Sequence, residues 1–263
     1  MHFAVFGGLY NNYLALQAAI DDACRAGAEA LYCLGDMGAF GPYPDRVFPL
    51  LRDHRVICIQ GNYDNSIGNG LADCQCGYTD PRDNYFAKLS YDYTYANTSM
   101  ENRRWLRDLP SEHRMEIDGA RFLMCHGSPR KTNEFLWEST TSTQFLEKLA
   151  DDFGADVILA THTGIHWRRE LSGGRQFANV GVLGRPENDG RNVVWYALIR
   201  TGRDVAGAGI DIQFVPLEYD HQRLAREMRD ESLPEEFVTT ILTGWWTTCL
   251  EVLPSKERRR GQF

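Results

Sequence analysis

No stretch of these 263 residues approaches the ~20 consecutive apolar positions that a membrane helix needs, which removes a membrane span from consideration. Net positive charge is missing too. The chain carries 28 Lys and Arg against 36 Asp and Glu, a formal net charge of −8. A surface that coats nucleic-acid phosphates is therefore not expected. Nor is there a cysteine framework. The seven cysteines (24, 33, 58, 74, 76, 125 and 249) are odd in number and irregularly spaced, which is poor grounds for disulfides. Residues 1–6, Met-His-Phe-Ala-Val-Phe, have neither the basic nor the long apolar region of a secretory signal. These absences lead us to expect a cytoplasmic protein with reduced thiols and no membrane partner. Internal repeats and flexible linkers are also absent, so one domain over 1–263 is expected. The 43% hydrophobic and 24% charged content exclude disordered and fibrous classes.

The chain does contain a regular alternation. Apolar runs at 3–6, 30–34 and 55–59 flank helical patterns at 11–26 and 44–52, which is the signature of a parallel sheet. Further strands are expected at 121–125, 156–160, 167–171, 176–179, 193–199 and 210–217, with helices at 141–153 and 234–243. The segment from about 66 to 110 is rich in Asn, Asp, Gly and Tyr and reads as an insert or cap with short helices, the clearest at 101–109. Cys24, Cys33, Cys58 and Cys125 sit in apolar runs and read as buried thiols, whereas Cys74 and Cys76 read as ordinary loop thiols, with replacement metal ligands as the lesser alternative. The basic stretch 256–260 reads as a solvated terminus.

In parallel sheets, functional groups gather just past the C-terminal ends of the strands. Four of those ends carry metal-ligating side chains: Asp36, Asn62, His126 and His162. A carboxylate, an amide oxygen and two imidazoles suit a divalent transition metal such as Mn, Fe or Zn. Each of these residues has a small neighbour that frees the backbone, namely Gly35, Gly61, Gly127 and Thr163 near Gly164.

The order Gly35-Asp36, Gly61-Asn62, His126-Gly127, His162-Thr163 resembles the calcineurin-like metallophosphoesterases. Leu34-Gly35-Asp36-Met37, Gln60-Gly61-Asn62-Tyr63-Asp64 and Met124-Cys125-His126-Gly127-Ser128-Pro129 are similar to successive motifs of that family, and Asn179-Val180-Gly181 adds to the likeness. The resemblance implies an α/β fold, a four-layer αββα sandwich of two mixed sheets flanked by helices, with metals at one edge.

Several positions depart from the family pattern. Where the family has Asp-x-His after the first strand, this chain has Gly8-Leu9-Tyr10. Tyr63 replaces a His after Asn62, and the final His-x-His is His162-Thr163-Gly164. The residues for one metal site are all gone, and those for the other, Asp36, Asn62, His126 and His162, are all present. The resemblance thus implies one ion rather than two. The expected function is hydrolysis of a small phosphorylated or nucleotide-like substrate, by a phosphatase or phosphodiesterase. Tyr63 would act near the leaving group with Asp64 orienting it, and Arg185 would hold a phosphate oxygen. Tyr10 would fill the vacated space, bond a phosphate, or ligate a ferric ion. The competing expectation is a catalytically inactive binding or regulatory protein that keeps the fold. His166, Arg130 and Lys131 are lesser candidates for the site, and Trp245-Trp246 reads as packing.

Overall fold

The computed structural model describes residues 1–202 and 209–259. In chain order the elements are β1 (His2–Phe6), α1 (Tyr13–Arg25), β2 (Ala30–Cys33), α2 (Val47–Asp53), β3 (Ile57–Cys58), α3 (Asn62–Asn69), α4 (Pro81–Asn97), α5 (Met100–Arg107), β4 (Glu112–Ile117), β5 (Ala120–Cys125), α6 (Thr143–Phe153), β6 (Val157–Ala160), β7 (His166–Glu170), β8 (Gln176–Val180), β9 (Val194–Thr201), β10 (Ile210–Leu217), α7 (His221–Asp230), α8 (Glu235–Thr243) and α9 (Ser255–Arg258). The strands form two five-stranded sheets, ordered β10-β9-β1-β2-β3 and β4-β5-β6-β8-β7. Both are mixed. β1 runs parallel to β2 but antiparallel to β9, and β6 runs parallel to β5 and β8 while β7 is antiparallel.

Side-chain alternation along the strands builds the layers. Phe3 and Val5 of β1 point between the sheets, where they meet Phe122 and Met124 of β5 and Leu159 of β6. Ala4 and Phe6 point the other way, toward Leu16 and Ile20 of α1. On the second sheet, Leu123 and Cys125 face Leu146 and Leu149 of α6. Strands covered on both faces read as near-continuous apolar runs, as these do. The result is the expected αββα sandwich. No helix among the described residues is long and apolar enough to cross a membrane.

Some expectations need correction. The middle segment does carry the short helix expected near its end, α5, but α4 is one long helix of 17 residues. It buries Phe86, Ala87, Ser90, Tyr91 and Thr94 yet exposes Tyr85 and Leu89, so no clean apolar stripe marks it. Its start was marked, because the Asp80 side chain accepts from the N–H of Arg82 at 2.8 Å and Pro81 occupies the first turn. Strand β4 was missed because Glu112, Arg114 and Glu116 make it look like loop. Its two-residue turn to β5, Asp118-Gly119, has φ of 53° and 84°, a strong hairpin signal. Cys24 is exposed rather than buried. The basic terminus is not simply solvated. Residues 255–258 form α9 and Glu257 is buried, accepting from Ser139, while Arg260 lies outside the described residues.

Candidate metal centre

The parallel strands β2, β3, β5 and β6 end along one edge of the sandwich, and the loops after them converge there. Asp36, His126 and His162 form a buried cluster whose potential ligand atoms all lie within 4.8 Å of one another. His126 Nε2 is 3.3 Å from Asp36 Oδ2 and 3.2 Å from His162 Nδ1. On its other side the His126 Nδ1–H donates to the Leu34 carbonyl at 2.6 Å, which fixes the ring and turns Nε2 toward the cluster. Phe135 packs on the His162 ring, with centroids 4.3 Å apart.

Backbone geometry holds the ligands in place. Asp36 and His162 adopt φ of 55° and 71°, a left-handed conformation disfavoured for residues with a Cβ. Gly61 must be glycine: a Cβ there would lie 2.3 Å from Asp36 Oδ1. Asp64 clamps the two loops together. Its Oδ2 accepts from the N–H of Asp36 at 2.7 Å and of Gly61 at 2.8 Å, and its Oδ1 accepts from Met37 at 3.0 Å. The N–H of Tyr63, in the first turn of α3, donates to Asp36 Oδ1 at 3.1 Å.

Asn62, which follows Gly61 at the start of α3, adds an unsatisfied acceptor. Its Nδ2 donates to the Cys74 carbonyl at 2.8 Å and to Cys76 Sγ at 3.4 Å. Its Oδ1 is buried and has no hydrogen-bond partner among the described residues. An unpaired buried acceptor is costly, and a cation satisfies it. The donor set of carboxylate, amide oxygen and two imidazoles fits a divalent ion.

The charges agree with this geometry. Burial raises the Asp36 carboxyl, but His126, His162 and the Tyr63 N–H outweigh it and hold the group below its ordinary value. Burial opposes charge on His126, yet Asp36 and the Leu34 carbonyl net it upward. Burial and the neighbouring His126 push His162 down to about 3, so it stays neutral with a lone pair to offer. Burial and the charge of Asp36 push Asp64 up to about 7, against the opposing N–H bonds of Gly61 and Met37.

The remaining sequence candidates are placed as follows. Tyr63 and Tyr10 line a cavity of about 40 Å³ together with Asp36, His162 and Arg185. The Tyr63 hydroxyl donates to Ser90 Oγ at 3.1 Å, so Asp64 and Tyr63 do not bond through their side chains as expected. The Tyr10 ring covers Gly8, where an added Cβ would meet Cε1 at 2.7 Å. Arg185 is buried in the same cavity, its guanidinium 3.6 Å from the centroid of Trp246. Trp246 does pack, donating from Nε1 to the Pro186 carbonyl at 2.8 Å, but its role in holding Arg185 was not read from sequence. His166 does not take the place of a missing ligand. Its backbone N–H donates to Glu187 Oε1 at 2.5 Å and its ring packs on Trp195 and Phe214. Arg130 is committed to Glu134. Cys74 and Cys76 are not ordinary thiols, because they form a disulfide.

Comparison with known proteins gives a consistent picture. Residues 1–203 match the model of the calcineurin-like phosphoesterase superfamily domain. An uncharacterized protein of Methanocaldococcus jannaschii is 24% identical over 256 residues, covering 92% of this chain and 97% of that protein. The solved structure of a hypothetical protein from Pyrococcus horikoshii superposes with a TM-score of 0.75 at 23% identity, over 94% of this chain and 99% of the other. That of a metallophosphoesterase from Sphaerobacter thermophilus gives 0.69 at 24% identity, over 93% and 99%.

Proposed function

The chain belongs to the calcineurin-like phosphoesterase superfamily, and we propose on that basis that it is a metal-dependent hydrolase of a small phosphorylated substrate, working with one divalent ion. The observation that carries the proposal is the buried cluster of Asp36, His126 and His162, supported by the unbonded Oδ1 of Asn62, the residue after Gly61 at the start of α3. Those four residues would hold the ion, with Mn, Fe or Zn favoured by the mixed oxygen and nitrogen donors. A divalent ion there supplies Lewis acidity, polarising a phosphoryl oxygen and acidifying water.

The chain's own groups do the rest. Asp64 is a positioning residue that ties the Asp36 loop to the Asn62 loop. Tyr63 walls the cavity beside the leaving group. Burial raises its phenol well above the ordinary range and its one proton is bonded to Ser90 Oγ, so it shapes the wall rather than relaying a proton. Arg185 faces the same cavity and contacts a phosphate oxygen, while the Tyr10 ring closes the opposite wall and excludes water.

The second reading is an inactive binding or regulatory protein that retains the fold. Gly8, Tyr10 and Gly164, standing where the resemblance places ligands of a second ion, favour it. Elemental analysis of the purified protein, followed by assay on aryl phosphomonoesters and phosphodiesters, separates the two. One equivalent of metal with turnover abolished in His126→Ala supports the hydrolase. Metal without turnover on either ester class supports the inactive protein, and no uptake of Mn, Fe or Zn overturns the site.

A further inference from the structure

Arg185 stands out among the buried charged groups. It is 5% exposed, and it has no carboxylate partner and donates no hydrogen bond among the described residues. Its Nε is buried without an acceptor. What surrounds the guanidinium is aromatic: Trp246 at 3.6 Å, Phe40 at 5.6 Å and Tyr10 at 5.7 Å from ring centroid to Cζ. Ring faces attract a cation but do not accept its N–H groups. A buried cation left in that condition calls for an anion.

The position of the guanidinium narrows the choice of anion. A Cβ added at Gly164 would lie 2.9 Å from Trp246 Cη2 and 3.5 Å from Arg185 Nη2. Gly164 stands where the resemblance places a ligand of the missing second ion, and Gly8, the corresponding position on the β1 side, is covered by the Tyr10 ring. The space of the abandoned site is therefore filled by two aromatic rings and one fixed positive charge. The cavity shared by Arg185, Asp36 and His162 measures about 40 Å³. At about 10–15 Å³ per water-sized occupant, that is room for a few small polar groups. An outer cleft of about 540 Å³, lined by Gln75, Tyr78, Asn84, Lys88 and Asn133, shares Cys76, Tyr78 and Ala87 with it.

We propose that the Arg185 guanidinium, seated on Trp246, stands in for the second ion as a fixed oxyanion site, and that this makes the centre selective for phosphomonoesters. The terminal phosphoryl group occupies the inner cavity with its oxygens on Arg185, and the single ester arm extends into the outer cleft. A diester has a second arm, which would have to enter among the walls of Tyr10, Phe40 and Phe86. The choice of ester class rests on the hydrolase reading above. The oxyanion site does not, because it requires neither an ion nor turnover.

The test is titration of the chelator-treated full chain with inorganic phosphate, read by calorimetry and by tryptophan fluorescence, which Trp246 reports. Saturable binding in the millimolar range or tighter is expected for the native chain, with at least a tenfold loss in Arg185→Met and a smaller loss in Arg185→Lys. Arg185→Lys keeps the charge but not the planar fork, and serves as the second variant should Arg185→Met fail to fold: a severalfold loss is expected, and binding equal to that of the native chain overturns the proposal. Absence of saturable phosphate binding in the native chain overturns the proposal, as does equal binding by Arg185→Met. Turnover of phosphoesters by the metal-loaded chain without phosphate binding by the metal-free chain overturns this proposal and leaves the hydrolase intact. Phosphate binding without turnover does the reverse. Hydrolysis of aryl phosphodiesters faster than monoesters overturns the substrate class alone.

Discussion

Asp64→Asn separates two roles of one buried carboxylate. In the native chain, burial and the charge of Asp36 raise Asp64 from 3.8 to about 7. Between those values the folded chain holds a proton that the unfolded chain has released. This contribution to stability therefore falls as pH rises through the window and levels off above about 7. Between about pH 5 and pH 8 the loss comes to roughly 3 kcal/mol at about 1.4 kcal/mol per unit. Asparagine has no proton to lose and escapes that loss. It does have only one acceptor oxygen where the carboxylate offers two. The carboxylate serves the N–H groups of Asp36, Met37 and Gly61, so at least one of them is orphaned in the variant, at about 1–3 kcal/mol. The variant is therefore expected to be less stable than the native chain at about pH 5, with the gap closing or reversing by about pH 8. Urea denaturation of both metal-free chains across that range measures the gap, and titrations common to both cancel in the difference. A divalent ion on Asp36 offsets the charge that raises Asp64, so loading is expected to flatten the dependence. A gap that stays constant with pH, or widens as pH rises, refutes the reasoning.

Three further outcomes are expected. Gly164→Ala adds a Cβ at a φ of 82° and 2.9 Å from Trp246, and should destabilise the protein by about 1–3 kcal/mol, read as a lowered Tm; an unchanged Tm would show that Trp246 yields freely. Replacing both Cys74 and Cys76 by serine, or reducing their disulfide, loosens the loop that holds Asn62 Nδ2, and metal affinity should drop about 10- to 100-fold by calorimetry while the melting of the metal-free chain changes little. Phe122→Ala removes a ring packed edge-on against Phe3 between the sheets, at 5.7 Å, and should cost about 3–5 kcal/mol in denaturant unfolding; a loss under 1 kcal/mol would contradict the assigned core.

Legibility from sequence followed the physics of each element. Strands covered on both faces announce themselves as apolar runs, so β1, β2, β5 and β6 and the residues that follow them were readable. The four proposed ligands were readable because they sit one to four positions beyond the ends of β2, β3, β5 and β6. Elements stabilised by dispersed contacts were not readable. Tyr91 of α4 is buried through its hydroxyl bonds to the carbonyls of Ser66 and Leu71, a tertiary partnership that leaves no periodic trace. The Cys74–Cys76 bond was missed for a related reason: spacing says nothing about whether a loop brings two thiols together. Trp246 lies 61 positions after Arg185 in sequence and packs against its guanidinium only in the fold, so pattern alone could not join them.

The same network bears on whether the fold is kept for chemistry or as a scaffold. A scaffold relieved of metal binding gains by bonding Asn62 Oδ1 and by relaxing Asp36 and His162 out of left-handed backbone, since each of these features costs stability. None has been relieved. At the abandoned site the opposite has happened: Tyr10 covers Gly8, Trp246 covers Gly164, and the space is packed. Drift toward a scaffold would be expected to repair both sites or neither. One site repaired by packing, and the other still under strain with an unbonded oxygen and a neutral imidazole, is a distribution that favours the proposed hydrolase over the inactive reading. The charge balance points the same way. A chain of net charge −8 repels phosphate over most of its surface, so any phosphoester it handles depends on local positive charge. Among the described residues Arg185 has no carboxylate partner, and it lines the cavity that Asp36 and His162 also line, which supplies that charge to the proposed site.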